Sequence, residues 1–224
     1  MGEQRAPLEY TFTMRFANNR ATLNALVDAL RCDPFYAAIS EDFAHDEARR
    51  REALARYFDY SMSEGARTGR LVVFPEASTG AAVWLLPVQP AVSEAESKSK
   101  AAFLASELGA NGGLKYRRIV DFMLLHARAI IAPSAWYLSI VGVAPAAQGQ
   151  GMGARLLEPT LAEADQADVE CYLETFDARN ARFYQRLGFS IAGSHTEPVT
   201  RAPYTIMYRS PKSLRAEPKG PRTG

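Results

Sequence analysis

The stretch that decides the fold runs Val143-Ala-Pro-Ala-Ala-Gln148-Gly-Gln-Gly151-Met-Gly-Ala154. The apolar run before it, residues 136–143, is typical of a strand covered on both faces, and a helical pattern follows to about residue 165. A strand, a glycine-rich turn and a helix together form an anion site, because the unpaired amides of the first helical turn and the helix dipole both favour negative charge. The three glycines of the turn leave those amides unshielded by side chains.

Two nucleotide-binding interpretations of this turn meet obstacles. A phosphate-binding loop of the Walker A kind is excluded, because no Gly-Lys-Ser/Thr follows the turn. A dinucleotide fingerprint stays open as an alternative, since Gly149, Gly151 and Ala154 satisfy the spacing G-x-G-x-x-A after a strand. Only one strand, one short helix and two final strands are predicted beyond it, whereas a dinucleotide-binding domain needs several more crossover units there.

A second motif lies one predicted helix and one predicted strand downstream, with the form Asn180-x-x-Phe183-Tyr184-x-x-Leu187-Gly188-Phe189. The two motifs, in this order, resemble the GNAT superfamily of acyl-CoA-dependent N-acetyltransferases, and in particular members similar to puromycin N-acetyltransferase. The likeness extends over residues 80–189, is weak over 88–130 and is faint before residue 80. Further matching segments are Ala82-Val83-Trp84 with Pro87, Trp136 to Val143, the mid-helix Pro159, Leu173-Glu174-Thr175 and Arg179-Asn180.

The resemblance implies an α/β (α+β) fold with a mixed, mostly antiparallel central sheet flanked by helices. The strands at 136–143 and 169–176 would splay to admit acetyl-CoA. Hydrophobic spacing and turn signals predict the other strands at 10–16, 70–75, 81–87, 189–197 and 204–208. Helices are predicted at 18–31, 46–65, 93–108, 114–131 and 178–187, with Gly112-Gly113 separating the third from the fourth. We expect one domain over residues 1–210, with core motifs at 134–209, and a disordered basic, proline-rich tail at 211–224.

The resemblance also implies that acetyl-CoA is the co-substrate. Its pyrophosphate would rest on amides of the turn, its pantetheine arm would pair with the backbone of 140–143, and Asn180 would hydrogen-bond the pantetheine. The alternative is a helix-cap turn that binds nothing. The implied acetyl-CoA-binding residues are Val141, Gly142, Val143, Gln148, Gly149, Gln150, Gly151, Met152, Gly153, Ala154, Asn180 and Phe183.

Two residues are candidates for the chemistry. By the resemblance, Tyr184 would donate a proton to the departing CoA thiolate, and the alternative is a tyrosine that only packs. Glu174 is the candidate base that removes the proton of the acceptor ammonium, directly or through water. Strand alternation places Glu174 on one face with Tyr172 and Phe176. The competing account is a carboxylate satisfied by Arg179 or Arg182.

The histidines, cysteines and aromatic residues bear on metal binding and on the kind of acceptor. His126 lies on the apolar side of its predicted helix, which favours a core histidine over a catalytic one. No histidine or cysteine pair has metal-ligand spacing, so we expect no metal. The N-terminal half is rich in aromatic residues, mostly core; any that line the cleft would suit a small amine with an apolar or aromatic body.

Composition restricts the partners. The sequence has 26 Lys and Arg against 25 Asp and Glu, a net charge of +1, which gives no large field for binding nucleic acid. No apolar run approaches the roughly 20 residues of a membrane helix, and Cys32 and Cys171 are most simply reduced thiols of a cytoplasmic protein. We therefore expect an N-acetyltransferase acting on a primary amine of a small molecule in a ternary complex, with a homodimer left open. The rival hypothesis is an acyl-CoA-binding regulatory module without turnover.

Overall fold

The computed structural model describes residues 20–74 and 79–214. The predicted first strand at 10–16 lies outside the described residues, as does the predicted tail beyond residue 214. No described helix combines the length and the apolar character that crossing a membrane would require.

Three helices open the described chain: α1 (Arg20–Leu30), α2 (Pro34–Ile39) and α3 (Glu47–Thr68). Two aspartates begin the second and third of them. The carboxylate of Asp33 accepts the amide of Phe35, and that of Asp46 accepts the amide of Arg49. Such side-chain acceptors satisfy amides that have no partner within the helix. The amide of Asp33 also donates to the carbonyl of Leu30, which holds Asp33 beside the end of α1.

Six strands of the described residues form one sheet in the order β1-β2-β3-β4-β6-β5. Every neighbouring pair is antiparallel except β3 and β4, so the predicted mixed, mostly antiparallel sheet is confirmed. The strands are β1 (Gly69–Val73), β2 (Gly80–Leu85), β3 (Trp136–Val143), β4 (Cys171–Thr175), β5 (Ser190–Thr196) and β6 (Pro203–Arg209).

The parallel strands β3 and β4 separate partway along. They pair only from Trp136↔Cys171 to Leu138↔Leu173. Beyond that point β3 continues to Val143 paired with β2 alone. The register with β2 shifts at the same place, because Val83 faces Ile140 while Trp84 faces Leu138, and an extra residue of this kind bends the bulged strand. The predicted splay of these two strands is therefore present.

The two helices between β2 and β3 divide at a different place from the one predicted. They are α4 (Pro90–Glu107) and α5 (Gly109–Arg128), and Gly112-Gly113 lies inside α5. The break falls at Gly109, whose φ of +75° is the left-handed conformation that glycine adopts most readily. A Cβ at Gly112 would lie 2.3 Å from the carbonyl oxygen of Ile39. Gly112 thus permits α5 to pack closely against α2, and the glycine pair does not end a helix.

The C-terminal part follows the predicted order. Helix α6 (Met152–Gln166) contains Pro159, and a 3-10 turn (Ala178–Asn180) leads into α7 (Ala181–Arg186). Gly188 follows α7 with a φ of +89°, as expected of the residue that ends a helix. Residues Lys212–Leu214 form a further 3-10 turn, and the amide of Lys212 donates to Asp165. The described start of the predicted tail therefore packs on the domain.

Two hydrophobic clusters pack on opposite faces of the sheet. One holds side chains of α1, α2, α3 and α5, and the other holds those of α6 and α7. Strand β4 contributes to both by alternation, with Tyr172 and Phe176 on the first side and Cys171 and Leu173 on the second. Glu174 shares the parity of Tyr172, so it faces the layer formed by the N-terminal helices.

Candidate active site

Two cavities open at the place where β3 and β4 diverge. The first, which we call the turn cavity, has a volume of about 1050 Å³ and lies against the glycine-rich turn. The second, which we call the aromatic cavity, measures about 460 Å³ and lies between the sheet and helices α2 to α5. The turn cavity is lined by eleven of the twelve residues predicted to bind acetyl-CoA, Gln150 being the exception: Val141, Gly142, Val143, Gln148, Gly149, Gly151, Met152, Gly153, Ala154, Asn180 and Phe183.

The turn itself requires glycine at two positions. Gly149 and Gly151 each have a φ of +76°, which L side chains adopt only with strain. A Cβ at either position would meet no atom within 4 Å. Gly151 is also the N-cap of α6 and supplies no side-chain acceptor to the first turn. The first turn of α6 therefore lines the turn cavity with no side-chain cap on its amides.

The two glutamines of the turn act through their side chains on its own backbone. The amide group of Gln148 donates to the carbonyl of Val143 at 2.9 Å, and that of Gln150 donates to the carbonyl of Ala146 at 3.2 Å. These bonds hold the turn against the end of β3. Gln150 does not line the turn cavity, so its side chain stabilises the turn from outside.

Gly142 lines the turn cavity, and close packing by α1 also requires that it have no side chain. A Cβ there would lie 2.8 Å from Cδ2 of Leu26 and 3.3 Å from Cδ1 of Leu30. Helix α1 therefore approaches β3 as closely as it does because residue 142 has no side chain. This contact brings Leu30, at the end of α1, to the wall of both cavities.

Phe183 and Asn180 close the turn cavity from α7. The ring of Phe183 would lie 3.1 Å from a Cβ at Gly153, so the ring covers the start of α6. Asn180 is exposed and is the N-cap of α7. Tyr184 lies on the more buried side of this helix, with 7% of its surface exposed. Phe183 is only partly buried.

The two cavities share part of their walls, which we call the junction. Tyr184 reaches it from α7, and Val141 reaches it from β3. Two molecules bound in the two cavities would therefore meet at these side chains. The complete set of shared lining residues is Leu30, Asp33, Val141, Phe176, Asn180 and Tyr184.

Tyr184 reaches the junction from a packed position. Its ring contacts those of Phe183 and Phe189, with centroids 5.0 Å and 6.0 Å away. Burial, with a smaller effect from the charge of Asp33, raises the pKa of its phenol above the ordinary value. The phenol thus stays protonated at neutral pH and can donate a hydrogen bond.

Glu174 lines the aromatic cavity and is held by tyrosines. The hydroxyl of Tyr204 donates to its carboxylate, and Tyr137 forms a second side-chain hydrogen bond with it. Burial raises the pKa of Glu174, and these two hydrogen bonds oppose the rise. Arg179 pairs with Asp177 instead. The competing expectation of an arginine-satisfied Glu174 is therefore wrong for Arg179, since tyrosine hydroxyls occupy that role.

Asp33 is a junction residue that the sequence reasoning missed. Burial raises the pKa of this carboxyl to about 6, and the amides of Phe35 and Tyr36 oppose the rise. Asp33 is the one carboxylate among the junction residues, whereas Glu174 lines only the aromatic cavity. The available signal was Asp33-Pro34, an N-cap and first-turn pair directly before two aromatic residues.

His126 lies apart from both cavities. It is half-buried, its Nδ1 contacts the carbonyl of Phe122 at 2.8 Å, and its ring centroid lies 3.9 Å from that of His195. The structure thus places the predicted core histidine in a partly covered aromatic group. No group of histidine, cysteine and carboxylate side chains suited to a metal ion occurs within 20–74 and 79–214.

The chain is similar to known acetyltransferases in one segment of sequence and in fold. Residues 113–191 match the family model described as acetyltransferase (GNAT) domain. A crystal structure described as histone acetyltransferase HPA2 and related acetyltransferase, from Corynebacterium glutamicum, is 25% identical; the match covers 93% of this chain and 96% of that one, with a TM-score of 0.59.

Two insect structures share the fold at lower identity. Arylalkylamine N-acetyltransferase 2 from Aedes aegypti is 12% identical, with 88% of this chain and 96% of that chain covered and a TM-score of 0.60. Polyamine N-acetyltransferase of Drosophila melanogaster is 16% identical, with 88% and 97% covered and a TM-score of 0.55.

The fold and the matched segment define the class. Residues 113–191 match a GNAT acetyltransferase domain and the sheet has the fold of known GNAT acetyltransferases, which supports an acyltransferase enzyme. The finer likeness to puromycin N-acetyltransferase stays a prediction.

Proposed function

We propose that this protein transfers the acetyl group of acetyl-CoA to the primary amine of a small molecule, by direct attack within a ternary complex. The observation that carries the proposal is the pair of cavities that meet at Tyr184. Two separate sites with one shared wall suit a reaction in which both substrates are bound at once. Holding the reacting groups together in this way removes much of the entropic barrier to their encounter.

The turn cavity fits acetyl-CoA. The open space beside Gly149 and Gly151 leaves room for phosphate oxygens next to backbone amides, and the helix dipole of α6 adds positive potential. The edge of β3 from Ser139 to Val143, which faces away from β2, has no strand partner in the described sheet. That edge can pair with the amide groups of a pantetheine arm, as an added strand would.

The carboxylates supply the counter-charge for the acceptor ammonium. Asp33 lies at the junction, and Glu174 lies in the aromatic cavity held by Tyr204 and Tyr137. An ammonium must lose a proton before its nitrogen can attack a thioester. Glu174 accepts this proton, directly or through water, and its raised pKa makes it a better base than an ordinary glutamate. Asp33 attracts and orients the ammonium beside it.

Tyr184 acts on the other substrate. As the protonated phenol at the junction, it donates a proton to the sulfur of coenzyme A as that sulfur leaves. A thiol of ordinary pKa near 8.5 leaves more easily when a donor lies within hydrogen-bond reach. The nitrogen loses its second proton as the carbon–sulfur bond breaks, and this proton restores the phenol of Tyr184. The proton taken up by Glu174 returns to solvent after the acetylated amine departs.

The acceptor is a small amine with an aromatic or apolar body. Five aromatic rings contact each other along the walls of the aromatic cavity: Phe35, Tyr36, Tyr57, Tyr116 and Phe176. The insect structures named above act, by their descriptions, on arylalkylamines and polyamines, and the aromatic walls favour the first of these classes. We place the protein in the cytoplasm, the compartment in which free thiols persist.

Thiol release from acetyl-CoA, with a panel of primary amines, tests the proposal. We expect release that depends on an amine and a matching gain of one acetyl group by that amine, measured by mass spectrometry. Thermal shifts with acetyl-CoA and with NADH separate the binding alternatives, because only a ligand that binds the folded state raises the melting temperature. Binding of acetyl-CoA without release for any amine would establish the regulatory module, and a shift by NADH alone would establish the dinucleotide site.

A further inference from the structure

A buried ion pair lies in the aromatic cavity away from the junction. Nζ of Lys100, on α4, lies 2.6 Å from Oε2 of Glu64, on α3, and their side chains are 14% and 10% exposed. Both residues line the aromatic cavity, and neither lines the turn cavity. The proposed chemistry at Glu174 and Tyr184 makes no use of them.

A row of aromatic rings connects the junction to this pair. The ring of Phe176, at the junction, lies 6.3 Å from that of Phe35, which lies 5.8 Å from that of Tyr116. Nζ of Lys100 lies 5.9 Å from the ring of Tyr116. An aromatic acceptor with its amine at the junction would therefore extend along these rings toward Lys100.

The stability of the fold gives little reason for an ion pair at this position. Removing two charges from water costs about as much as their attraction returns, and apolar side chains of equal volume commonly stabilise a protein as well. The surroundings are suited to such a replacement, since Tyr57 is buried and Tyr116 is largely covered. Burial raises the pKa of both phenols, so neither carries a charge that the pair could balance. Because both side chains line the aromatic cavity, the pair is placed where it can bind a ligand.

The pair has hydrogen-bonding capacity to spare. An ammonium carries three N–H donors, and within the described chain Lys100 gives one of them to Glu64. The carboxylate of Glu64 has a second oxygen, Oε1, besides the one that Lys100 contacts. A neutral group that accepts one hydrogen bond and donates another matches both partners without adding charge. A hydroxyl group has this character.

We propose that Lys100 and Glu64 bind a hydroxyl group on the aromatic ring of the acceptor, so that the enzyme prefers hydroxyaryl-alkyl primary amines. This inference rests on the proposed acetyl transfer to a small amine. The hydroxyl oxygen accepts from Lys100 while its hydrogen is donated to Glu64. An unsubstituted ring would leave the remaining donors of the buried ammonium unpaired, and a diamine would bring a second ammonium against Lys100.

Matched amines test the preference. Tyramine and 2-phenylethylamine differ by one ring hydroxyl, and so do serotonin and tryptamine. Since a hydrogen bond to a charged group is worth about 1.5–3 kcal/mol, we expect kcat/KM to be about tenfold or more higher for the hydroxylated member of at least one pair. We also expect 1,4-diaminobutane to be a poorer substrate than tyramine.

A double variant links the preference to the ion pair. Lys100→Met with Glu64→Gln removes both charges while keeping the side-chain lengths, and we expect it to bring the ratio of kcat/KM within each pair to about one. Arg56→Met with Glu107→Gln is the control, because this ion pair also joins α3 to α4 but does not line the cavity. It should keep the wild-type ratio. If the double variant fails to fold, Lys100→Gln with Glu64→Gln serves the same comparison, because it also removes both charges and leaves two amide groups that can hydrogen-bond to each other.

Each result decides between the two proposals. Equal kcat/KM within both pairs of amines in the wild-type enzyme would overturn the role of Lys100 and Glu64 while leaving acetyl transfer intact. A preference that persists in the double variant, or a preference for the diamine, would overturn it equally. Absence of acetyl transfer to every amine, despite binding of acetyl-CoA, would instead refute the proposed function.

Discussion

The hydroxyl of Tyr204 donates a hydrogen bond to the carboxylate of Glu174, across the antiparallel pair formed by β4 and β6. Tyr204 is fully buried, and its own ring contacts Phe176 with centroids 5.5 Å apart. The contact fixes Glu174 toward the aromatic cavity. It also sets the acidity of Glu174, because burial raises the pKa of that carboxyl and the hydrogen bond lowers it.

Tyr204→Phe should therefore raise the pKa of Glu174 further. Glu174 is then ionised only at higher pH, so the acid limb of the pH profile of kcat/KM should move to higher pH. The folded state should also lose about 1 kcal/mol of stability with the buried hydrogen bond. The profile is measured with a single amine at saturating acetyl-CoA, alongside an unfolding curve.

Tyr208→Phe is the control for this substitution. Tyr208 lies on the same strand, is 37% exposed and lines neither cavity, so its profile should match that of the wild type. An acid limb that stays in place in Tyr204→Phe would remove Glu174 as the group that titrates. Glu174→Gln should then retain activity as well.

The sequence was sufficient to predict the parts of the fold that depend on local pattern. Apolar β3, the positive-φ glycines of the turn and the mid-helix Pro159 all lie where the pattern placed them. Gly112-Gly113 misled the helix prediction, because a glycine that permits close packing against Ile39 has the same letter as one that ends a helix. Only the tertiary contact distinguishes the two uses.

The sequence predicted the residues of the glycine-rich turn but not those of the aromatic cavity. Residues 148–154 follow one another in the chain, so a short motif reveals them. The carboxylate of Asp33 and the pair of Glu64 with Lys100 come from helices far apart in sequence, and packing alone brings them to the aromatic cavity. Similarly, Tyr204 reaches Glu174 from 30 residues away, through the placement of β6 beside β4.

Tyr184→Phe should lower turnover by about 10²–10⁴-fold if its hydroxyl protonates the departing sulfur. The ring itself is buried beside Phe183 and Phe189, and Phe keeps that packing. The affinity for acetyl-CoA should therefore change little. Steady-state kinetics together with calorimetric titration of acetyl-CoA measure the two effects separately. Unchanged turnover would show that Tyr184 only packs.

Gly151→Asp should abolish binding of acetyl-CoA. The open space beside Gly151 would receive a carboxylate, which repels phosphate groups at the start of α6. Gly151→Asn is the matched control, because asparagine has nearly the same shape, carries no charge and tolerates a positive φ better than most residues. We expect the thermal shift caused by acetyl-CoA to be lost in the first variant and reduced in the second. Tight binding by Gly151→Asp would refute the proposed phosphate site.

Asp33→Asn should weaken binding of the acceptor without changing the affinity for acetyl-CoA. Asparagine caps a helix about as well as aspartate, so α2 should keep its amide contact at Phe35 while the junction loses a negative charge. We expect KM for the amine to rise about tenfold, the lower end of what a charged hydrogen bond contributes. Asp46→Asn, which changes the N-cap of α3 and lines neither cavity, should leave KM as it is.

The same variant makes a second measurement possible, on stability. Burial raises the pKa of Asp33 to about 6 from an ordinary 3.8, so between those values the folded state binds a proton that the unfolded chain has released. The free energy of unfolding therefore falls as the pH rises from 3.8 to about 6, because the folded state must release the proton that kept Asp33 neutral. Asp33→Asn is neutral throughout, and at pH 7 it should exceed the wild type by about 1–3 kcal/mol in free energy of unfolding. The opposite result, a wild type more stable than Asp33→Asn at pH 7, would contradict this expectation. It would show that the enzyme already holds a counter-charge that stabilises the ionised Asp33 when no amine is bound.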